Sequence, residues 1–434
     1  MGRKSIESNA ARAGTRMGRA VIVAACVVAT LAVPSTANAT PPVARDATVI
    51  AEWNAIAQRT IFTENVTPVP ASPLYFGFVS LAMYDAVVAV EGGYEPYAAL
   101  PAPKKHASSS VAAATAAHGV LRHFFPASAD ALDADYEATL ADVPNGVAKV
   151  HGIRVGDDAA AAMIAARQDD GRGATVAQPG GLEPGEWRPT PPGFGLMAVP
   201  WLGFVTPLVI DSPTQIPVPG PDELDSDEYA QDVLEVQQYG SSEDSLRTPD
   251  QTETAHFWNA NAVAQYQVAL RDQVTRRGLD IVDSARVFAL TNASTADAVI
   301  SCWRAKYDFA LWRPITAIHL ADTDGNDATE ADAEWAPLAV TPPYPDYTSG
   351  HACVTGATSA ALGHLFGSDA IDLRVPSLGA APERHFATAD ALNEETMNAR
   401  IWLGFHFRTA MTDGNQLGHE ITDYANANFF RSTT

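Results

Sequence analysis

The sequence predicts an all-α fold, two helical regions joined by a Pro/Gly-rich connecting segment. Two observations carry that expectation. Apolar residues recur at three- and four-residue spacing along most of the chain, with few period-two runs to compete. The helix breakers, in contrast, concentrate in one place: residues 171 to 220 hold nine Gly and ten Pro, including "RPTPPGFG", which sustains neither helices nor central strands. With 434 residues, 47% hydrophobic and 18% charged, the chain has enough apolar material for one large or two medium cores.

At the front, Arg3, Lys4, Arg12, Arg16 and Arg19 precede the apolar run "AVIVAACVVATLAV", Ala20 to Val33, and then Ala37-Asn38-Ala39. Basic flank, apolar stretch and small-residue site together read as an export signal cleaved after Ala39. Fourteen apolar residues fall short of the ~20 that a spanning helix needs. A lipid attachment at Cys26 is the lesser alternative. Helical spacing then runs through Thr48 to Phe62, Leu74 to Val90, Val111 to Phe125, Asp130 to Leu140 and Val150 to Gln168. It resumes after the connecting segment at Asp225 to Tyr239, Pro249 to Arg277 and Asp280 to about Ile318, where the Pro314 ring should kink or end the helix. Further helices are expected near His351 to Phe366, Asn393 to Phe405 and Gln416 to Phe430. The organisation read from this is a signal (1–39), an N-terminal helical region with its Pro/Gly-rich wrap (40–224) and a C-terminal bundle (225–434).

Charge narrows the partners. Without residues 1–39, 23 bases face 50 acids, a net charge of −27. Such a surface repels nucleic acid and anionic membranes, so neither binding to nucleic acid nor stable membrane insertion is expected. Against that background "WRAKYDFALWRP", Trp303 to Pro314, stands out for its cations, and Lys306 is one of only five lysines. On one continuous helix Lys306 and Arg313 would project from the same face, two turns apart, where a fork of donors and a point charge suit an oxyanion. A solvated stripe is the usual meaning of scattered charge, but aromatic and apolar residues surround these two.

A second stretch, "PPYPDYTSGHACVTG", Pro342 to Gly356, places Ser349 and Gly350 at a helix start. Serine there often only caps. A hydroxyl, an unhindered Gly350 N–H and a positive dipole end also make an anion cradle, and His351 in the first turn should have a lowered pKa. In the third, "ARIWLGFHFRTAMTDG", Ala399 to Gly414, Arg400 and His406 are six residues apart with Gly404 between. A lone His on an apolar helix is more often a satisfied core residue. Cys302 and Cys353 flank these motifs and read as two buried thiols more readily than as a disulfide.

The three stretches together resemble the superfamily shared by vanadium-dependent haloperoxidases, type 2 phosphatidic acid phosphatases and bacterial acid phosphatases. Lys306, Arg313 and Pro314 match the first motif, Ser349, Gly350 and His351 the second, and Arg400 and His406 the third. The wider context, including "FVSLAMYDAVVAVEGGYEPY" and "EWRPTPP", is similar to the secreted bacterial haloperoxidase-like branch. The resemblance implies a helical bundle of the haloperoxidase/acid phosphatase type and vanadate as cofactor. It assigns Lys306, Arg313, Arg400, Ser349 and Gly350 to the oxyanion, His406 to the central atom and His351 to proton transfer. Trp303 and Tyr344 fall where haloperoxidases place residues near the halide.

On that reading the substrates are hydrogen peroxide, a halide and an organic acceptor. The alternatives are a soluble acid phosphatase, cleaving a phosphate ester through phosphohistidine at His406, and a non-catalytic oxyanion-binding protein. The sequence also departs from the pattern. Thr348 replaces a usual Pro, Ala399 a common Ser, and Ala410 the Asp that commonly orients the His four residues before it. Asp413, a turn further on, is the expected substitute.

Overall fold

The computed structural model describes residues 42–102 and 106–433, so the export-signal expectation lies outside the described residues. Helices α1 (Pro42–Gln58), α2 (Ser72–Glu91), α3 (Ser109–Phe124), α4 (Ala129–Ala141) and α5 (Val147–Ala166) precede the Pro/Gly-rich stretch. After it come α6 (Asp227–Gly240), α7 (Pro249–Phe257), α8 (Ala262–Arg277), α9 (Ile281–Phe309), α10 (Pro314–His319) and α11 (Gly350–Phe366). A short antiparallel pair, β1 (Leu373–Val375) and β2 (Arg384–Phe386), leads to α12 (Ala389–Trp402) and α13 (Arg408–Asn428). The protein is all-α apart from that pair, which no period-two pattern announced.

Helix α9 is the axis of the fold, packed by α2 on one side and by α11 and α13 on another. Phe76, Phe78 and Leu81 of α2, Phe288, Leu290 and Ile300 of α9, and Leu362 and Ile421 of α11 and α13 share one buried core. Residues on both sides of position 224 thus bury the same apolar surface. By length and composition residues 69–91 would cross a membrane, but 83% of that apolar window is buried inside the protein, where it packs on α9. Helices α11 and α13 approach so closely that a Cβ on Gly356 would lie 2.2 Å from the Asn415 carbonyl oxygen. The hydrogen at Cα therefore sets how near α13 can bring its N-terminal end to the Ser349 turn.

The Pro/Gly-rich stretch is an ordered wrap, tied down by backbone bonds. Asp297, buried in the middle of α9, accepts the amides of Leu208, Val209 and Ile210 at 2.6, 2.7 and 3.0 Å. Further along α9, Trp187 N donates to Ala310 O and Trp312 N to Gly185 O. These two bonds hold an early break. The single helix expected to reach about Ile318 stops at Phe309, because Ala310 adopts a left-handed conformation (φ 45°) that the wrap's hydrogen bonds stabilise. Pro314 is the first residue of the new helix α10, the position its fixed φ favours.

The long run Pro249 to Arg277 is likewise two helices, separated at Trp258 to Asn261, where the Asn261 side chain caps α8. The expected helix ending at Phe405 ends at Trp402, and α13 begins at Arg408 rather than Gln416. Cys302 and Cys353 are both free and fully buried.

Candidate active site: a buried oxyanion cradle

Lys306 sits in the last turn of α9 and Arg313 is the N-cap of α10, so they do not share a helix face. The break at Ala310 turns the chain, and the two side chains still converge. Lys306 Nζ donates to Pro345 O at 2.6 Å and Asp346 O at 2.9 Å. Arg313 Nε donates to Tyr344 O at 2.6 Å and Nη1 to Phe405 O at 2.7 Å. The Tyr344 ring centre lies 5.0 Å from Lys306 Nζ and 4.9 Å from Arg313 Cζ. Both cations are completely buried, and burial lowers the Lys306 pKa to about 8.

Arg400, near the end of α12, is also buried. Its Nη1 donates to Trp258 O at 2.8 Å, while Nε has no hydrogen-bond partner. Gly404 then takes φ 76° and turns the chain out of α12, which puts His406 in the loop before α13, not on a helix face as expected. A Cβ on Gly404 would fall 2.7 Å from Gly240 O, so this turn is also a close backbone contact.

As expected, Ser349 caps α11; its hydroxyl accepts from Ala352 N, and its own N–H donates to Ala410 O at 2.9 Å. Gly350 and His351 open that helix. The structure therefore brings Lys306, Arg313, Ser349, Gly350, His351, Arg400 and His406 into one region, with Trp303 and Tyr344 packed beside it, their rings tilted by 57° at 5.0 Å between centres. Both histidines are held well below the ordinary imidazole range. Burial is the main cause in each; Arg400 adds to it for His351, and Arg313, Lys306 and Arg400 for His406. The lowered His351 pKa expected from sequence is thus accounted for by burial and by Arg400.

Asp346 is the residue that sequence spacing missed. Its Oδ1 lies 2.9 Å from His406 Nδ1 and 3.6 Å from Arg313 Nη1, with all three side chains essentially inaccessible. Neither carboxylate oxygen makes a well-aligned hydrogen bond in this arrangement, so the approach to Arg313 is an ion pair and that to the neutral His406 a close polar contact. Asp413, the expected substitute for the absent Asp at position 410, faces elsewhere: it accepts from the Tyr347 hydroxyl at 2.6 Å. The carboxylate beside the His406 ring comes instead from the loop before Ser349. With Asp346 next to Nδ1, the neutral imidazole keeps its proton there, and the Nε2 lone pair faces Arg313 Nη1 at 3.2 Å. Asp346 stood inside a quoted motif, but only the folded chain brings position 346 to position 406.

The charge balance decides what this arrangement can hold. Three fully buried cations converge here, and among the described residues Asp346 is the only carboxylate within ion-pair distance of any of them. Burying unpaired cations is costly. Three buried cations against one carboxylate, with Arg400 Nε unpartnered, fit a multivalent oxyanion such as vanadate or phosphate. Among the described residues, no group of three or more His, Cys, Asp or Glu could hold a metal cation.

An all-α fold around a buried oxyanion cradle is the arrangement that the resemblance to vanadium haloperoxidases implied. Residues 286–433 match the family model described as VCPO second helical-bundle domain. A vanadium chloroperoxidase from Curvularia inaequalis is 30% identical over 29% of this chain; the match spans 28% of that protein's length. The crystal structure of the first bacterial vanadium-dependent iodoperoxidase superposes with a TM-score of 0.75 at 23% identity, over 90% of this chain and 97% of that one. Apo and holo structures of a bacterial vanadium-dependent chloroperoxidase superpose at 0.67 and 0.66, each 17% identical, over 82% of this chain and 92% and 91% of theirs.

Proposed function

We propose that this chain is an exported, vanadate-dependent haloperoxidase that uses hydrogen peroxide to oxidise a halide. The observation that carries the proposal is the excess of buried positive charge around a neutral His406 whose Nδ1 is occupied by Asp346. Lys306, Arg313 and Arg400 would hold the oxygens of vanadate, with the Ser349 hydroxyl and Gly350 N–H completing the cradle. His406 Nε2 would ligate the central atom. Bound vanadate would supply Lewis-acid activation of peroxide.

His351 is neutral and partly exposed; Nε2–H would donate to Ala260 O at 3.4 Å, which leaves Nδ1 to take a proton from an incoming hydroperoxide and return it to a leaving oxygen. Trp303 is fixed by its Nε1 bond to Ala198 O at 3.1 Å and presents its ring, with Tyr344, as the wall a halide would meet. Export rests on the N-terminal signal pattern, and the acidic surface disfavours nucleic acid and anionic membranes as partners.

The soluble acid phosphatase reading uses the same cradle, so activity must separate the two. The purified protein is assayed without and then with orthovanadate. Vanadate is expected to switch on peroxide-dependent bromination of a phenolic dye. Turnover of p-nitrophenyl phosphate that vanadate merely inhibits, with no bromination, would establish the phosphatase instead.

A further inference from the structure

Arg400 differs from the other two cradle cations in what holds it. Arg313 has Asp346 within ion-pair distance and Lys306 feels the same carboxylate, whereas among the described residues no carboxylate reaches Arg400. Its anchor is a single hydrogen bond, from Nη1 to Trp258 O at 2.8 Å, and Nε is left unpartnered. Trp258 is the C-cap of α7, with its own N–H on Thr254 O at 3.1 Å, so its carbonyl belongs to the last, otherwise unsatisfied turn of that helix. A helix C-terminus carries partial negative charge and suits a guanidinium. It orients Arg400 without neutralising it, which leaves the full charge for an oxyanion.

What fixes that carbonyl is the side chain of the same residue. The Trp258 ring is wholly buried, with Phe257, Tyr266 and Phe386 at 5.2, 6.0 and 6.1 Å between ring centres, and its Nε1 donates to Glu395 Oε1 at 2.8 Å. Glu395 stands on α12, five residues before Arg400, and its other oxygen pairs with Arg384 Nη1 at 3.0 Å. Trp258 is thus bonded to α12 twice, through its ring at Glu395 and through its carbonyl at Arg400. Two residues further along the same connector, Ala260 O accepts from His351 Nε2. We propose that Trp258 and Glu395 are positioning residues for the oxyanion: their bond clamps the α7–α8 connector onto α12, so that Trp258 O holds the Arg400 guanidinium toward the cradle.

The proposal rests on the oxyanion cradle and not on which reaction the cradle serves. Removing the Glu395 acceptor strands a buried indole N–H, and the connector shifts to relieve it. Arg400 then loses its one fixed contact, and a long side chain without an anchor recovers rotamers that oxyanion binding must remove again. The two oxygens of Glu395 have separate tasks: Oε1 serves Trp258, and Oε2 pairs with Arg384. Glutamine at this position keeps the first and gives up the second.

The test uses the whole protein without vanadate and inorganic phosphate as probe, read by titration calorimetry. Glu395→Ala and Trp258→Phe should each weaken phosphate about five- to tenfold, and the double variant should lie within about twofold of the weaker single, because both remove one bond. Glu395→Gln should stay within about twofold of wild type, since it retains the acceptor. In an Arg400→Ala background, Glu395→Ala should change phosphate affinity by less than about twofold, because the effect passes through that guanidinium. Trp335→Phe, which removes a different indole bond, from Nε1 to Gln237 O at 3.0 Å, should lower the melting temperature and leave phosphate affinity intact. Unchanged affinity in both single variants, a Glu395→Gln protein as weak as Glu395→Ala, the same loss without Arg400, or an equal loss in Trp335→Phe overturns the positioning role. Wild-type protein that binds no phosphate would remove the cradle itself, and the clamp with it.

Discussion

Replacing Asp346 by Asn tests whether this carboxylate is the one that serves His406. The substitution keeps shape and an acceptor but removes the charge lying 2.9 Å from His406 Nδ1 and 3.6 Å from Arg313 Nη1. Two consequences oppose each other. At an effective dielectric near 20, a unit pair at 3.6 Å is worth about 4.6 kcal/mol, which the Arg313 contact would lose. Burial works the other way and wins: it raises the Asp346 pKa to about 7 despite Arg313 and Lys306, so the ionised carboxylate is disfavoured where it sits.

A carboxylate whose folded pKa is raised stabilises the fold at low pH and loses that contribution as pH climbs through about 7. Asp346→Asn should therefore not lower the melting temperature at pH 8. Its effect should fall on the ligand. Removing a negative charge strengthens every oxyanion alike, so the informative quantity is the affinity ratio of orthovanadate to phosphate, in which that general attraction cancels. What remains is the basicity and orientation of His406 Nε2, and losing the partner of a ligating His typically costs about 10- to 100-fold. Titration calorimetry of both anions, with His406→Ala as the limit in which the ratio collapses, gives the number. A ratio within about twofold of wild type in Asp346→Asn would refute the assigned role, since charge-assisted and neutral bonds differ by more than that.

Two further outcomes follow from the same geometry. Asp413→Ala should leave oxyanion affinity unchanged and cost about 1 to 2 kcal/mol of stability in denaturant titrations, because it strands the Tyr347 hydroxyl and not His406; a large loss of affinity would return Asp413 to the site. Lys306, with its pKa lowered to about 8, is charged below that value and neutral above it, so affinity for sulfate, whose own charge is constant here, should be level to about pH 8 and then fall by up to about tenfold per unit. In Lys306→Arg the fall should vanish, and a wild-type profile flat to pH 10 would contradict the assignment.

Much of this protein was legible without coordinates. Apolar spacing of three and four residues marked α2, α3, α5, α9 and α11 because a buried helix must present one face repeatedly to its neighbours. Ser349 at a helix start followed from capping chemistry, and the cluster of nine residues from three ordered motifs. Spacing along a chain reports local faces, however, and says nothing of where the chain reverses. The end of α9 at Ala310 depends on backbone bonds from Gly185 and Trp187, more than a hundred residues upstream, so a periodic pattern running past it could not reveal the break. Gly404 was visible as a glycine, but its positive φ, which takes His406 off the helix, is enforced by contact with Gly240 and Pro337. The choice between Asp413 and Asp346 was tertiary for the same reason. A position one turn beyond Ala410 favoured the nearer carboxylate in sequence, whereas the backbone bonds Asp346 N to Leu311 O and Ser349 N to Ala410 O bring the distant one to the ring.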